Sequence, residues 1–276
     1  MASTGAVQYA LWSPDNWGTV HSVGKIVGGE RGLDTKAQGR RSIGGQEALV
    51  GGLMVPRLQF EYMPETAALL GYVKRTAYPA GPLGEVDFEA GTNAEGLRIT
   101  AAKCHQCTMD LAVDEALRVT MDCWSPEAPT ATSGGSMTPV VGGTFEWYRG
   151  SVSTGGTSYA ARRVRVVIKN NLIACASLDV KAAGALRYPD ELVEGHEEVS
   201  IEAEYLADPG HAFSGDALDA ANVVAVVGNG TETLTVTATE AVPVRWRQAF
   251  EIDNLIVWRV EYRLPANSGG LTIVAS

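Results

Sequence analysis

No run of about eighteen apolar residues, the length of a transmembrane helix, occurs anywhere in the 276-residue chain. The first residues, Met1 to Trp12, lack a basic segment followed by an apolar one, so no secretory leader is expected. Basic charge is scarce: 22 Lys and Arg against 32 Asp and Glu give a formal charge of −10. That balance argues against a fold that wraps nucleic acid, which needs clustered Lys and Arg. It is compatible with a surface that nucleic acid slides past. Cysteine and histidine number only four each, and without secretion the cysteines read as reduced thiols rather than a disulfide framework. A P-loop, a Gly-x-Ser-x-Gly elbow and a Gly-x-Gly-x-x-Gly fingerprint are all missing. No catalytic role, cofactor or metal is therefore expected.

Two short motifs invite a metal reading and do not sustain it. Cys104-His-Gln-Cys107 has no second Cys-x-x-Cys or His pair to complete a tetrahedral site. On a regular strand, residues three apart point to opposite faces, so Cys107 is expected beside Cys123 in the core, with Cys104 facing away. His196-Glu197-Glu198 resembles a fragment of a zinc-protease motif but lacks the second histidine four residues on, and reads as solvated. Asn229-Gly230-Thr231 reads as a turn.

What the chain does contain is period-two alternation. At 45% apolar residues it can bury a sizeable core, and no linker divides it, so residues 1–276 are expected to form one domain. Lys103 to Trp124 reads as a hairpin about Asp114-Glu115-Ala116, with Leu111 opposite Val119 and Met109 opposite Met121. A one-residue slip would turn one apolar set to solvent. Val164, Val166 and Ile168 alternate with Arg163, Arg165 and Lys169. Val199, Ile201, Ala203 and Tyr205 alternate with Glu198, Ser200, Glu202 and Glu204. Val223–Val227 and Thr233–Thr239 flank a Gly-Asn-Gly turn. Ile256, Trp258, Val260, Tyr262 and Leu264 alternate with Val257, Arg259, Glu261 and Arg263. One segment, from Pro64 to Arg75, reads as an α-helix, with Pro64 at its first position, Ala67, Leu70 and Val73 along one face, and basic residues in the last turn. Many strands with one flanking helix predict a mainly β fold, a β-sandwich or barrel-like domain.

Two stretches break the alternation. Residues 24–52 hold nine of the 31 glycines with Arg31, Lys36, Arg40 and Arg41 and show no period. This stretch reads as a long arm that becomes ordered on a partner. Residues 125–143, rich in Pro, Gly, Ser and Thr, read as a second surface loop. Glu198, Glu202 and Glu204 share one strand face, which is either simply solvated or a wall that repels phosphate. Arg31, Lys36, Arg40 and Arg41 are either solvated or, with charge opposite to the body's, suited to head-to-tail stacking of identical subunits.

In order and spacing these features resemble the major tail tube proteins of long-tailed, non-contractile bacteriophages. Trp12-Ser-Pro-Asp-Asn-Trp-Gly-Thr19 resembles their opening arm, and Ser42-Ile-Gly-Gly-Gln-Glu-Ala-Leu-Val-Gly-Gly-Leu-Met-Val-Pro56 the end of their stacking loop. Phe60-Glu-Tyr-Met-Pro-Glu-Thr-Ala-Ala-Leu-Leu70 is similar to the strand entering the single helix. Val166-Val-Ile-Lys-Asn-Asn-Leu172 resembles a strand with its Asn-Asn-Leu turn, and Phe250-Glu-Ile-Asp-Asn-Leu-Ile-Val-Trp-Arg-Val-Glu-Tyr262 the closing strand.

The resemblance implies a structural virion protein made in the host cytoplasm. Its hexameric rings would share a continuous inner β-barrel and stack through the long loop into the tube that conducts DNA during ejection. It implies Arg31, Lys36, Arg40 and Arg41 at inter-ring contacts and Glu198, Glu202 and Glu204 lining the lumen. The implied partners are further copies of the chain, the tape measure, tail terminator and distal tail proteins, and phage DNA passing without specific binding, with no membrane. A tube subunit of a contractile tail or phage-derived particle shares this architecture. A β-sandwich binding or adhesion module is the alternative outside assembly, and an enzyme the third.

Overall fold

The computed structural model describes residues 9–35, 38–41, 47–50, 54–75, 81–92, 94–133, 143–175, 187–206, 221–250, 256–265 and 269–276. Among these residues twenty strands follow in chain order, beginning with β1 (Tyr9–Ser13), β2 (His21–Ser22), β3 (Lys25–Thr35), β4 (Gln38–Arg41) and β5 (Glu47–Val50). Next come β6 (Met54–Met63), β7 (Val86–Gly91), β8 (Gly96–Ala112), β9 (Arg118–Trp124) and β10 (Thr130–Thr132). The second half holds β11 (Glu146–Thr154), β12 (Thr157–Tyr159), β13 (Ala161–Lys169), β14 (Ile173–Cys175) and β15 (Glu191–Val193). Last are β16 (Glu198–Leu206), β17 (Ala221–Gly228), β18 (Thr233–Phe250), β19 (Ile256–Arg263) and β20 (Leu271–Ala275). The fold is mainly β, as the alternation predicts, and its strand pairings are antiparallel.

Two long strands organise it. The C-terminal half of β8 and the C-terminal half of β18 belong to a main sheet ordered β3-β6-β9-β8-β13-β16-β19-β18. The N-terminal half of β8 instead pairs with β7 and β10, and that of β18 with β17 and β20. Each strand thus leaves one sheet and enters another, and each does so at a bulge. Ala101 has φ 48° in β8 and Glu240 has φ 56° in β18, a left-handed conformation that bends the strand. In both cases an Asx side chain of the adjoining strand satisfies the displaced amide. Ala101 N–H donates to Asp87 Oδ1 at 2.9 Å, and Glu240 N–H donates to Asn222 Oδ1 at 3.2 Å. Sheets that turn onto one another this way form a sandwich. Met109, Leu111, Val164 and Val166 of the main sheet face Ala225, Val227, Leu234 and Val236 of the second, around a void of only about 30 Å3.

Most residues predicted to alternate inward are in the core, whereas Ile256, Trp258 and Leu264 of the closing strand are half-buried. Val164, Val166, Ile168, Ile201, Ala203, Tyr205, Val260 and Tyr262 are all buried, each large apolar side chain contributing about 1.5–3 kcal/mol. Val257, expected on the outer face, is also fully buried.

Four expectations are corrected. Pro64–Arg75 is not an α-helix. A 3-10 helix covers only Ala68–Tyr72, with Gly71 inside it and no side-chain cap. The segment is held instead by the 229–232 turn: Asn229 Nδ2 donates to Glu65 O at 2.9 Å, and Glu232 Oε2 accepts from Ala67 N–H at 3.1 Å. Its inward face is the predicted one, with Ala67, Leu70 and Val73 buried. The 24–52 arm is not an unpaired loop throughout. Lys25–Thr35 pairs with β6 along its whole length, and β4 pairs with β5. Backbone pairing makes this hairpin without any apolar period. Within 125–143, Thr130–Thr132 adds a short strand to β8, while residues 134–142 lie outside the described residues.

The fourth correction concerns the cysteines. Met109 opposes Val119 and Cys107 opposes Met121, two residues from the expected register, so every side chain keeps its predicted face. A bulge at His105 then resets the parity, so that Cys104 opposes Cys123. The Asn-Asn-Leu turn builds this bulge. Asn170, fully buried, donates through Nδ2 to Cys104 O and Val73 O, both at 2.9 Å, and its N–H donates to His105 O at 2.9 Å. Leu172 N–H donates to His105 Nδ1 at 3.1 Å, and the imidazole stacks on Trp124.

The corner geometry makes opposite predictions for two substitutions. Glu240→Gly relieves a left-handed non-glycine residue and should raise unfolding stability by about 0.5–1 kcal/mol. Asp87→Ala orphans the Ala101 amide and should cost about 1.5–3 kcal/mol. Urea titrations check both, and a neutral Asp87→Ala would mean that the corner does not need its cap.

Candidate functional site

The outer face of the main sheet carries two depressions lined by charged residues. Because the pairing register aligns equal parity across strands, its charged residues fall into rows. One row runs Arg118, Asp110, Arg165, Glu202, Glu261 and Arg245 from β9 to β18. The next runs Arg163, Glu204, Arg259 and Arg247 from β13 to β18. Directly opposed unlike charges on a sheet attract at modest strength. Here one directly opposed pair, Arg259 with Glu204, closes into an ion pair, and diagonal and same-strand pairs join it. Arg163 grips Asp110 in a two-pronged pair, Nε donating to Oδ1 at 2.8 Å and Nη2 to Oδ2. That hydrogen bond raises the pKa of Arg163 and holds its guanidinium firmly protonated. Arg259 Nε donates to Glu204 Oε1 at 2.7 Å, Arg263 donates to Glu261 at 3.0–3.1 Å, and Arg57 forms a two-pronged pair with Asp122 at 2.7 Å.

Glu198, Glu202 and Glu204 do share this face, but each stands directly opposite a cation: Lys169, Arg165 and Arg163 respectively. The expected wall of mutually repelling carboxylates is not there; its place is taken by a mixed lattice. In the two rows six arginines meet four carboxylates, and Glu61 and Glu115 add to the acids around Arg118, so the positive excess lies on the β13–β18 side, where five arginines and three glutamates line one depression. The two depressions are of about 400 Å3 over β13, β16, β19 and β18 and about 370 Å3 over β6, β9, β8 and β13. Arg163 and Arg165 line both.

Arg245 and Arg247 could have been found in the sequence by extending the 233–239 strand: Arg245-Trp246-Arg247 continues a period-two pattern. A bulge between Pro243 and Arg245 obscures it. Of the basic arm residues, Arg31 lies in β3 and Arg40 and Arg41 in β4, while Lys36 lies outside the described residues. They are not on the segment that bears the charged rows.

The other chemically suggestive groups serve the structure. Cys104, Cys107 and Cys123 are buried together in the core, and Cys175 is exposed. Burial pushes the Cys107 and Cys123 thiols and the Tyr62 phenol well above their ordinary values. Among the described residues no group of three His, Cys, Asp or Glu is placed to hold a metal ion. Glu197 and His196 O each accept a hydrogen bond, from Arg75 N–H and from Asn171 Nδ2, joining segments distant in sequence. Lys103 and Arg75 converge on Glu194, whose oxygens also accept the Leu83 amide.

The buried thiols predict an alkaline weakness. In the unfolded chain a thiol ionises near about pH 8.5, whereas burial keeps the folded thiol protonated. The stabilisation is complete below that pH and is lost as pH rises through the raised folded values, at up to about 1.4 kcal/mol per pH unit per group. Urea midpoints should therefore be steady between pH 7 and 8.5 and fall above it, with a shallower fall for the Cys107→Ala/Cys123→Ala double variant. A thiol reagent at pH 8 should label Cys175 alone until the chain is unfolded. Rapid labelling of Cys107 in the native protein would contradict the packing.

Compared with known proteins, the chain matches no family model, and a search of curated proteins gives no significant match.

Proposed function

We propose that the chain is a structural subunit that joins edge to edge with its own copies into a closed ring, and that the rings stack into a tube, without catalysis. The observation that carries this reading is the pair of edges at the two ends of the main sheet. Among the described residues, β3 at one end is paired only on its β6 side, and at the other the outer side of β18 beyond Ala241 is unpaired. Long unpaired edges are templates for further pairing, and closure removes them. Val242, Val244 and Trp246 stand 40%, 50% and 51% exposed along the β18 edge, with Val242 and Trp246 on opposite faces of the sheet because a bulge separates them. Joining unlike edges is a heterologous contact, which generates a ring when the rotation closes.

The hairpin of β3 and β6, continued by the β4–β5 ribbon, supports the stacking half of the reading. It is long, glycine-rich and basic in β4, against an acidic body, so it can reach a second ring and meet opposite charge there. Resemblance to the tail tube proteins adds six as the ring number and DNA as the cargo. An acidic inner wall is not required by this reading.

Negative-stain microscopy and sedimentation of the purified chain test the proposal, with rings or stacked tubes expected. Val242→Lys/Val244→Lys should blunt the edge and leave folded, non-assembling subunits. Replacing Gln38–Val50 with a short turn should leave rings that do not stack. A chain that stays monomeric at every concentration and binds glycan would instead favour the β-sandwich module.

A further inference from the structure

The depression between β13 and β18 holds charge that its own neighbours do not neutralise. Arg163 is taken by Asp110, and Arg259 by Glu204. Among the described residues Arg165, Arg245 and Arg247 have neither an ion pair nor a side-chain hydrogen bond, although all three line the depression. The Arg165 Nε–H is moreover shut off from solvent with no acceptor, an arrangement that leaves a strong donor unsatisfied. Glu261, the carboxylate opposite Arg245, is engaged by Arg263. Three guanidinium groups are thus left against one uncommitted carboxylate, Glu202.

We infer that this depression binds a phosphodiester chain through Arg165 on one bank and Arg245 and Arg247 on the other. Guanidinium forks match phosphate oxygens in pairs. The layout favours an extended anion over a compact one. Strands in a sheet are spaced by about 4.8 Å, so the two banks, three strands apart, are separated by about 14 Å. Glu202 lies between them, so a single ion centred in the depression would meet a carboxylate. A chain whose charges recur every few ångströms sets one phosphate on each bank and steps over the acid. The second depression, which Arg165 also lines, holds Glu61, Asp110 and Glu115, and Arg118 there is paired with Glu61 and Glu115, so the track ends at Arg165. The lining contains only Ala203 and Val260 as apolar residues, giving little purchase to the side chains of an acidic peptide. The inference rests on this face alone and stands whether or not the chain forms rings.

The test is fluorescence anisotropy of a labelled single-stranded oligodeoxynucleotide with the full-length protein, at salt between about 50 and 200 mM. Binding should weaken steeply with salt. The Arg165→Gln/Arg245→Gln/Arg247→Gln variant should bind at least about tenfold more weakly, with its salt slope reduced by about 1.4, since each of the two phosphate contacts on a single strand contributes about 0.7. Circular dichroism verifies that the variant is folded, and the triple Arg→Lys variant should retain most of the salt slope. Arg149→Gln, on β11 away from this face, should bind as the native chain does. No binding at low salt, or an unchanged triple variant, overturns the inference. Displacement by polyglutamate as readily as by unlabelled oligonucleotide would reassign the site to acidic peptides. Full displacement by millimolar inorganic phosphate would reduce it to a single-ion site.

Discussion

Everything in this fold hangs on two corners. β8 and β18 each belong to two sheets, and each can do so because one residue, Ala101 or Glu240, accepts a left-handed backbone while an Asx side chain from the adjoining strand takes its amide. A straight strand at either place would carry its second half out into solvent. The bend sets the second sheet over the apolar side of the main one and leaves the polar side open. The burial of Met109 and Leu111, and the availability of the charged rows, are two results of one geometry.

The charged face shows what a pairing register does to electrostatics. A sequence lists charges in order along the chain, whereas a sheet sorts them by parity and then aligns them across strands. Glu202 and Glu204 look like an acidic cluster in the chain and become members of a lattice with Arg165 and Arg163 in the sheet. The formal charge of −10 similarly conceals a local excess of arginine, because the basic residues of β13, β18 and β19 share one face only when the sheet sets those strands around β16.

Legibility in the sequence followed the same division. Wherever alternation was uninterrupted, as in β13 and β16, the residues of the core could be read directly, since one face of each strand is apolar. It failed where the backbone departs from regularity. The His105 bulge reverses the parity of Cys104, and the signal for it, Asn170, lies in the turn after β13, far along the chain. The β3 strand is held by backbone bonds to β6 and has no apolar period to betray it. Pro64–Arg75 has helical periodicity, yet its polar ends are satisfied by Glu232 and Asn229 across the molecule, so a single short 3-10 segment suffices. Of the candidate site, the glutamates and Arg163 and Arg165 were legible as one face of each strand, but their partners depended on sheet order, which alternation does not specify. The assembly reading rests on edges, which a sequence cannot display at all.

The shared strands also bear on how the chain reaches its folded state. Because β8 and β18 each stitch two sheets together, neither sheet can be completed before residues far apart in the chain have met; Tyr9 must find Gly91, and Arg163 must find both Ala112 and Glu204. Closing such long loops before their contacts are rewarded slows folding. The main-sheet edges stay open throughout that search, when unpaired strand is most prone to meet the wrong copy. A chain built this way gains from folding in isolation first and meeting its neighbours afterwards, and the short hairpins β8–β9 and β17–β18 supply the local starting points from which it can do so.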